Sequence, residues 1–354
     1  EMYWVTVPSV ILIGMLMMRM FAIQHDTGHG AIFKSWSANR WLGRCLGVIC
    51  IAPAAVWAKK HDVHHATHGN LDRREMGDLL TLTVAEYNAK GPFAKALYRL
   101  YRNPYFLLAF GPVYSFFLEY RLPVRLMDKR EYWVSAMGTN LSIAIVLGTI
   151  YYFGGWGPIL FIFVPSTLIG AFCGVWVFYI QHQFEGVEWD HQGNWSVHDA
   201  ALYGSSYYVL PGWLNWFSCN VGIHHVHHLY SKIAFYRLPE VLRDHPELAG
   251  TSRVTFRDSL KCLKLKLWDE DNRRMVDFKA ADDIAAHPFD FAHPLQDDAQ
   301  IRLLPLAHTT GLSKTSVSLG HLAPGKCSFP MHSHHIQAIL LISFHNASCG
   351  LQKR

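Results

Sequence analysis

Residues 3–29 read YWVTVPSVILIGMLMMRMFAIQHDTGH, a run that is nearly all apolar from Tyr3 to Ile23, carries one charge at Arg19, and closes on His25 and His29. About twenty consecutive apolar residues suffice for a helix to cross the hydrocarbon core of a bilayer. Histidines four apart share one helix face, so this span delivers two imidazoles side by side at its end.

The same spacing recurs twice. His61-Asp62-Val63-His64-His65 and His224-His225-Val226-His227-His228 place rings at i, i+3 and i+4, again on one face of a helix. A core histidine is ordinarily single and satisfied by one hydrogen bond. Three clusters therefore predict convergence on a metal site holding more than one ion, and imidazole suits iron, copper, zinc and nickel. Asp26 and Asp62 each follow the first histidine of a cluster, where a carboxylate can hold a ring N–H from behind or can simply be a solvated helix-end residue. Asn220, one turn before His224, either orients a metal-bound water or caps the helix of the third cluster. His68, His191, His198 and His225 fall off the expected ligand faces and read as lying behind the ligands or facing solvent, so His68→Ala and His191→Ala are expected to leave most activity.

Composition places these clusters at a membrane. The chain has 354 residues, of which 51% are hydrophobic, 14% aromatic and only 17% charged, too apolar for an ordinary soluble domain. Trp133 to Phe153 and Ile159 to Ile180 are further spans, joined through Gly154-Gly155-Trp156-Gly157-Pro158 as a hairpin. Trp41 to Ala58 contains Arg44 and Pro53, and Pro104 to Tyr120 is broken by Gly111-Pro112, so both read as re-entrant or interfacial elements. Lys90, Lys95, Arg99 and Arg102 before the second of these, and Arg121, Arg125, Lys129 and Arg130 after it, put both its ends on the cytoplasmic side. The expected fold is all-α and integral to the membrane: spanning helices, re-entrant or interfacial helices, and a cytoplasmic helical cap carrying the histidines. His182, at the end of the hairpin, reaches the same face.

The seven cysteines are scattered without a CxxC pair, which argues against a disulfide framework or a zinc ribbon. The net charge of +5 lies in juxtamembrane segments and suits anionic lipid head groups and an acidic electron-transfer partner, not nucleic acid.

The clusters HDTGHG, HDVHH and HHVHH, together with HHATHGNLDRR, LTVAEY, QHQFEGVEW, GSSYYVLP and CNVGIHHVHH, resemble the integral-membrane fatty acid desaturases, nearest to the acyl-lipid omega-6 (delta-12) type. The resemblance runs from about Tyr3 to Phe278 and ends in LKLWDEDNRRMVDF. It implies a non-haem di-iron centre, O2 as co-substrate, a fatty acyl lipid held in a narrow tunnel, and electrons from ferredoxin or from cytochrome b5 with its reductase. By that resemblance the ligands are His25, His29, His61, His64, His65, His224, His227 and His228, with His182 of the QHQFE run as the ninth. Nine nitrogen donors suit two irons with four or five each, leaving positions for oxygen and solvent. Removing hydrogen from an unactivated methylene is beyond any side chain, so the metal and O2 carry that step and the protein supplies position. Tyr207, Tyr208, Trp213 and Trp216 are candidates for the tunnel wall or for ordinary interfacial packing.

The implied activity is insertion of a cis double bond at the delta-12 position of lipid-linked oleoyl, in a multi-pass protein of a bacterial inner membrane or the endoplasmic reticulum. The same centre could instead hydroxylate or epoxidise the chain, or the protein could be a truncated remnant that binds metal without turnover. No His-Pro-Gly-Gly haem motif occurs, so electrons are expected from a separate protein.

Two departures accompany the resemblance. The family helix that precedes the one bearing the first cluster is expected to be missing here. Beyond a desaturase domain of residues 1–280, residues 281–354 read as a disordered extension, in which SVSLGHLAPGKCSFPMHSHH (residues 316–335) resembles the opening of a cupin barrel with His332 and His334 at metal-ligand positions. Too few residues follow to close such a barrel.

Overall fold

The computed structural model describes residues 3–74 and 76–286, together with the backbone of residues 302–305 and 318–321. Contacts divide the chain into two units, Glu1–Phe278 and Lys279–Arg354. In the second, Arg302–Pro305 pairs antiparallel with Ser318–His321. His332 and His334 lie outside the described residues.

Three helical stretches are long and apolar enough to cross a membrane: Trp4–Gly28, Arg130–Gly154 and Trp156–His182. The first belongs to α1 (Tyr3–Gly28), which continues past the apolar run so that His25 sits on its last turn. The hairpin is made by α4 (Arg130–Gly154) and by a stretch whose regular part is α5 (Val164–His182), with Gly155 at φ +64° in the connection. Leu141, Ile145 and Phe153 on α4 are 63%, 60% and 82% exposed, an apolar outer face that suits lipid.

Small residues let α1 and α5 approach closely. A Cβ added to Gly14 would stand 2.6 Å from Ile169 Cγ2, and one added to Gly170 would stand 2.9 Å from the Gly14 carbonyl. Beside them Ser166 Oγ donates to the Val10 carbonyl across 3.1 Å. The two helices that end in His25 and His182 are thereby locked in register.

The stretch expected to be re-entrant is a broken pair, α2 (Trp36–Ile49) and α3 (Ala54–Thr67), bent by 104°. Ile51 at the break has φ +50°, and a Cβ on Gly47 would fall 2.5 Å from the Ala52 carbonyl. Irregular backbone at membrane depth must have its polar groups satisfied by protein. Here Gln24 Nε2 donates to the Ala52 carbonyl at 2.9 Å, and the Arg121 guanidinium donates to the Ile51 carbonyl. Asn140 fixes Arg121 in turn, accepting from Nη1 at 2.8 Å. The other interrupted stretch is helical over Pro104–Pro112, widens at Val113–Leu118 and tightens at Glu119–Arg121, so Gly111-Pro112 changes the pitch without ending the helix.

The remaining chain of this unit forms short helices and small sheets, an addition to the all-helical expectation. Strand β1 (Leu82–Thr83) pairs in parallel with β4 (Leu267–Asp269), which pairs antiparallel with β5 (Arg274–Val276); β2 (Tyr207–Tyr208) pairs in parallel with β3 (Arg253–Val254). Trp268 and Met275 pack with Tyr179, Phe184, Trp189 and Tyr208 in the core of this region. Arg102, fully buried, ties it together by donating to Gln183 Oε1 at 2.6 Å and to the carbonyls of Leu80 and Leu265.

Candidate metal centre

Four segments deliver the histidines. The last turn of α1 and the residue after it carry His25 and His29, α3 carries His61, His64 and His65, α5 ends on His182, and α6 (His224–Leu229) carries the third cluster. The entry to α6 is a tight turn with Cys219 and Asn220 at φ +53° and +54°, and Gly222 runs so close to Tyr208 that a Cβ would meet its carbonyl at 2.4 Å. The Ser206 carbonyl accepts from the backbone N–H groups of His224 and His225, fixing the start of the helix.

All nine expected positions come together, and they sort into two groups. His25, His29, His61, His65 and His227 form a group of five; His64, His182, His224 and His228 form a group of four. Within each group one nitrogen per ring lies within 4.8 Å of every other, and each group can hold a metal ion.

Proton bookkeeping explains what these groups require. His64 Nδ1 lies 2.6 Å from Asp78 Oδ1, and His182 Nδ1 lies 3.2 Å from the Gly204 carbonyl, so both rings carry their proton on Nδ1. Their Nε2 atoms are then bare, yet they face each other across 3.1 Å. The same Nε2-to-Nε2 approach of 3.0 Å joins His182 to His224, His224 to His228, His61 to His65 and His65 to His227. Facing lone pairs repel unless a cation lies between them. Two nitrogens bound at right angles to one ion with bonds of about 2.1 Å stand about 3 Å apart. The buried Nε2 atoms of His25 and His29 also have no hydrogen-bond partner. The donor set therefore fits a metal in each group.

Electrostatics points the same way. Burial first, and repulsion from neighbouring imidazoles second, holds His29, His224, His227 and His228 well below the ordinary imidazole pKa, keeping them in the neutral form a metal needs.

The outer residues depart from the sequence expectations in instructive ways. Asp26 is buried, with Oδ1 2.9 Å from His25 Nδ1 and Oδ2 accepting from the Phe235 N–H at 2.7 Å, so it does back a ligand candidate. Asp62 does not: it is exposed and bonds to none of the histidines among the described residues. Asp78, its side chain only 8% exposed and shared by His64 and His68, does that work for the second cluster. Burial would raise its pKa, but the charges and hydrogen bonds of His64 and His68 outweigh burial and hold it well below the usual carboxylate range. No spacing rule marks a lone aspartate fourteen residues after its partner.

Asn220 neither caps α6, whose N-cap is Ile223, nor bonds to a ligand candidate; its Nδ2 donates to the Phe235 carbonyl at 3.1 Å. His68 is fully buried and contacts Asp78, His182 and the Gly204 carbonyl. His225 is buried too, with Nε2 donating to the Leu248 carbonyl and burial pulling its pKa down to about 4. His191 and His198 face solvent. Among the aromatic candidates, Tyr208 is buried with its hydroxyl 3.2 Å from Ser259 Oγ, whereas Trp213 and Trp216 are exposed. Trp216 has a specific role: the guanidinium of Arg19 lies 4.1 Å from its ring centroid and donates to its carbonyl, which accounts for the charge in α1.

The fatty acid desaturase family matches residues 2–259 of the chain. A fatty acid desaturase of Bacillus subtilis is 38% identical over 78% of this chain and 79% of its own length. An sn-1 acyl-lipid omega-3 desaturase (ferredoxin) of Synechocystis is 26% identical over 66% of each chain, and an sn-1 oleoyl-lipid 12-desaturase of Picosynechococcus is 24% identical over 67% of each.

Proposed function

The chain belongs to the fatty acid desaturase family, an oxygen-dependent group of oxidoreductases, and on that premise we propose that it is a membrane di-iron desaturase that places a cis double bond at the delta-12 position of lipid-linked oleoyl chains. The observation that carries this reading is the meeting of nine histidines, from four segments, in groups of five and four where two membrane-length helices, α1 and α5, end. The five- and four-histidine groups would each hold one iron, and the pair would supply the O2-dependent oxidation. The overall change is –CH2–CH2– plus O2, two electrons and two protons to –CH=CH– plus two waters, so an external donor must provide the electrons. Nitrogen-only ligation by neutral imidazoles suits iron and also zinc or copper; the family and the demand for O2 chemistry favour iron.

The protein's own residues do the positioning. α1, α3, α5 and α6 hold the rings from four directions, and the side chains of Asp26 and Asp78 accept from ring nitrogens on the outside of the two groups. The oleoyl-lipid name of the Picosynechococcus relative supports a lipid-linked oleoyl substrate, and the ferredoxin in the Synechocystis relative's name supports a ferredoxin-type donor. Cytochrome b5 with its reductase is the alternative donor. The basic residues around positions 90–102 and 121–130 support a cytoplasmic location for the site, in a bacterial inner membrane or the endoplasmic reticulum. The division into a desaturase domain of residues 1–280 and an extension of 281–354 is part of the same proposal.

Expression in a host that makes oleoyl lipids but no polyunsaturated ones tests it, with mass spectrometry locating new double bonds. A diene with its new bond at carbon 12 is the expected product. A bond at another position overturns the regiochemistry alone; a hydroxy or epoxy product overturns desaturation; and no product from an iron-loaded, folded protein supplied with a donor overturns the enzyme assignment.

A further inference from the structure

Asp78 reaches two of the four histidines in the smaller group. Its Oδ1 lies 2.6 Å from His64 Nδ1 and 3.1 Å from His68 Nδ1. The His68 ring then stacks at a tilt on His182, with centroids 3.9 Å apart and His68 Nε2 3.0 Å from His182 Nδ1. The Gly204 carbonyl closes the set, 2.7 Å from His68 Nε2 and 3.2 Å from His182 Nδ1. His64, His68 and His182 are all buried, and the Asp78 side chain is only 8% exposed.

The turn that delivers Asp78 is built for the purpose. Gly77 has φ +99°, and a Cβ there would stand 2.8 Å from the Lys60 carbonyl and 3.1 Å from His64 Cβ. Only glycine lets this turn lie flat against α3 with the carboxylate at the back of His64.

His64, His68 and Asp78 could themselves be taken for a third metal site. The distance decides against it. At 2.6 Å, His64 Nδ1 and Asp78 Oδ1 are closer than two donors on one ion, which stand about 3 Å apart, and at the spacing of a charge-assisted hydrogen bond.

We propose that Asp78 and His68 are a positioning pair for the four-histidine position, Asp78 fixing the ring of His64 directly and His68 fixing that of His182, so that the two metal positions of this protein are held unequally. The inference rests on the di-metal reading above. In the five-histidine group a carboxylate touches a ring only at His25, through Asp26, among the described residues. The position with fewer nitrogen donors thus has the more extensive support. Partners of this kind typically change metal affinity about 10–100-fold when removed.

The test uses the full chain in detergent, loaded anaerobically with 57Fe(II), with iron counted per chain and Mössbauer spectra recorded. Wild type should hold two irons. Asp78→Asn should keep one iron at wild-type affinity and bind the second about 10–100-fold more weakly, with the spectrum of one site altered and the other unchanged. Asp78→Glu should restore part of the second site. His68→Gln should alter the same site as Asp78→Asn while leaving the other as in wild type. Two tightly bound irons with unchanged spectra in both Asp78→Asn and His68→Gln would overturn the proposal, as would equal weakening of both sites. Should Asp78→Asn fail to fold, the His68→Gln spectrum decides alone. Fewer than two irons in wild type would instead sink the di-iron reading, a separate outcome.

Discussion

His182 Nε2 and His224 Nε2 face each other across 3.0 Å although 42 residues separate them in the chain. His182 also faces His64, so one ring at the end of α5 links the second cluster to the third. Replacing it should therefore be as damaging as replacing a histidine of the three boxes. In the host assay, His182→Ala, His64→Ala and His224→Ala should each bring product below about 1% of wild type, and double replacements should add nothing further, because ligands act as a unit. Substantial activity in His182→Ala would remove it from the ligand set.

Metal removal should cost stability as well as activity. Without ions, five pairs of Nε2 atoms face one another at 3.0–3.1 Å. Ions bound a thousandfold above their dissociation constants contribute about 4 kcal/mol each. Thermal unfolding in detergent should shift down by several degrees on chelation and recover on adding Fe(II). An unchanged transition would mean that the ions bind folded and unfolded chains alike.

The close approach of α1 and α5 should not tolerate bulk. Gly170→Val places branched carbons against the Gly14 carbonyl, already within 2.9 Å of a Cβ at that position. Overpacking of this kind costs about 1–3 kcal/mol. It should lower the detergent melting temperature and, by displacing the helix ends, reduce iron content. A variant that melts and loads iron as wild type does would show that the helices can part without penalty.

His191 offers a pH test away from the metal centre. Hydrogen bonds to Asp72 and then Glu270 raise its pKa above the ordinary value. A raised histidine pKa contributes stability that is fully present below the unfolded value, near 6.5, and is lost as pH climbs through the folded value. The group is more than half exposed, so the effect is within about 1 kcal/mol. Wild type should be slightly more stable than His191→Gln at pH 6, and the gap should close by pH 8.5, with activity little changed. A gap that widens with rising pH would reverse the assigned sign.

Deleting residues 281–354 should leave membrane insertion, iron content and product formation largely intact, since the family match ends at residue 259 and the first compact unit at Phe278. Altered metal content or substrate choice at unchanged expression would show that the extension takes part in function.

Local pattern alone made much of this protein readable. Apolar runs of spanning length marked α1, α4 and α5, because a bilayer demands a fixed length of greasy helix whatever surrounds it. Histidines at i, i+3 and i+4 marked the histidine-bearing faces of α3 and α6, because helix geometry fixes which residues are neighbours. Pro53 and the charge of Arg44 marked the α2–α3 break. Those are properties of ten to twenty consecutive residues, and sequence determines them by itself.

The pairing of the nine rings was decided elsewhere. His61 and His65 join one group while His64, between them, joins the other, a division that depends on where α1, α5 and α6 stand around α3. Likewise Asp62, next to His61 in the chain, points to solvent, whereas Asp78 reaches His64 because Gly77 allows its turn to lie against the helix. Adjacency in sequence fixes only which residues are close along the backbone. Which carboxylate backs which ring depends on chain segments meeting through packed glycines and buried hydrogen bonds, and only the tertiary structure settles that.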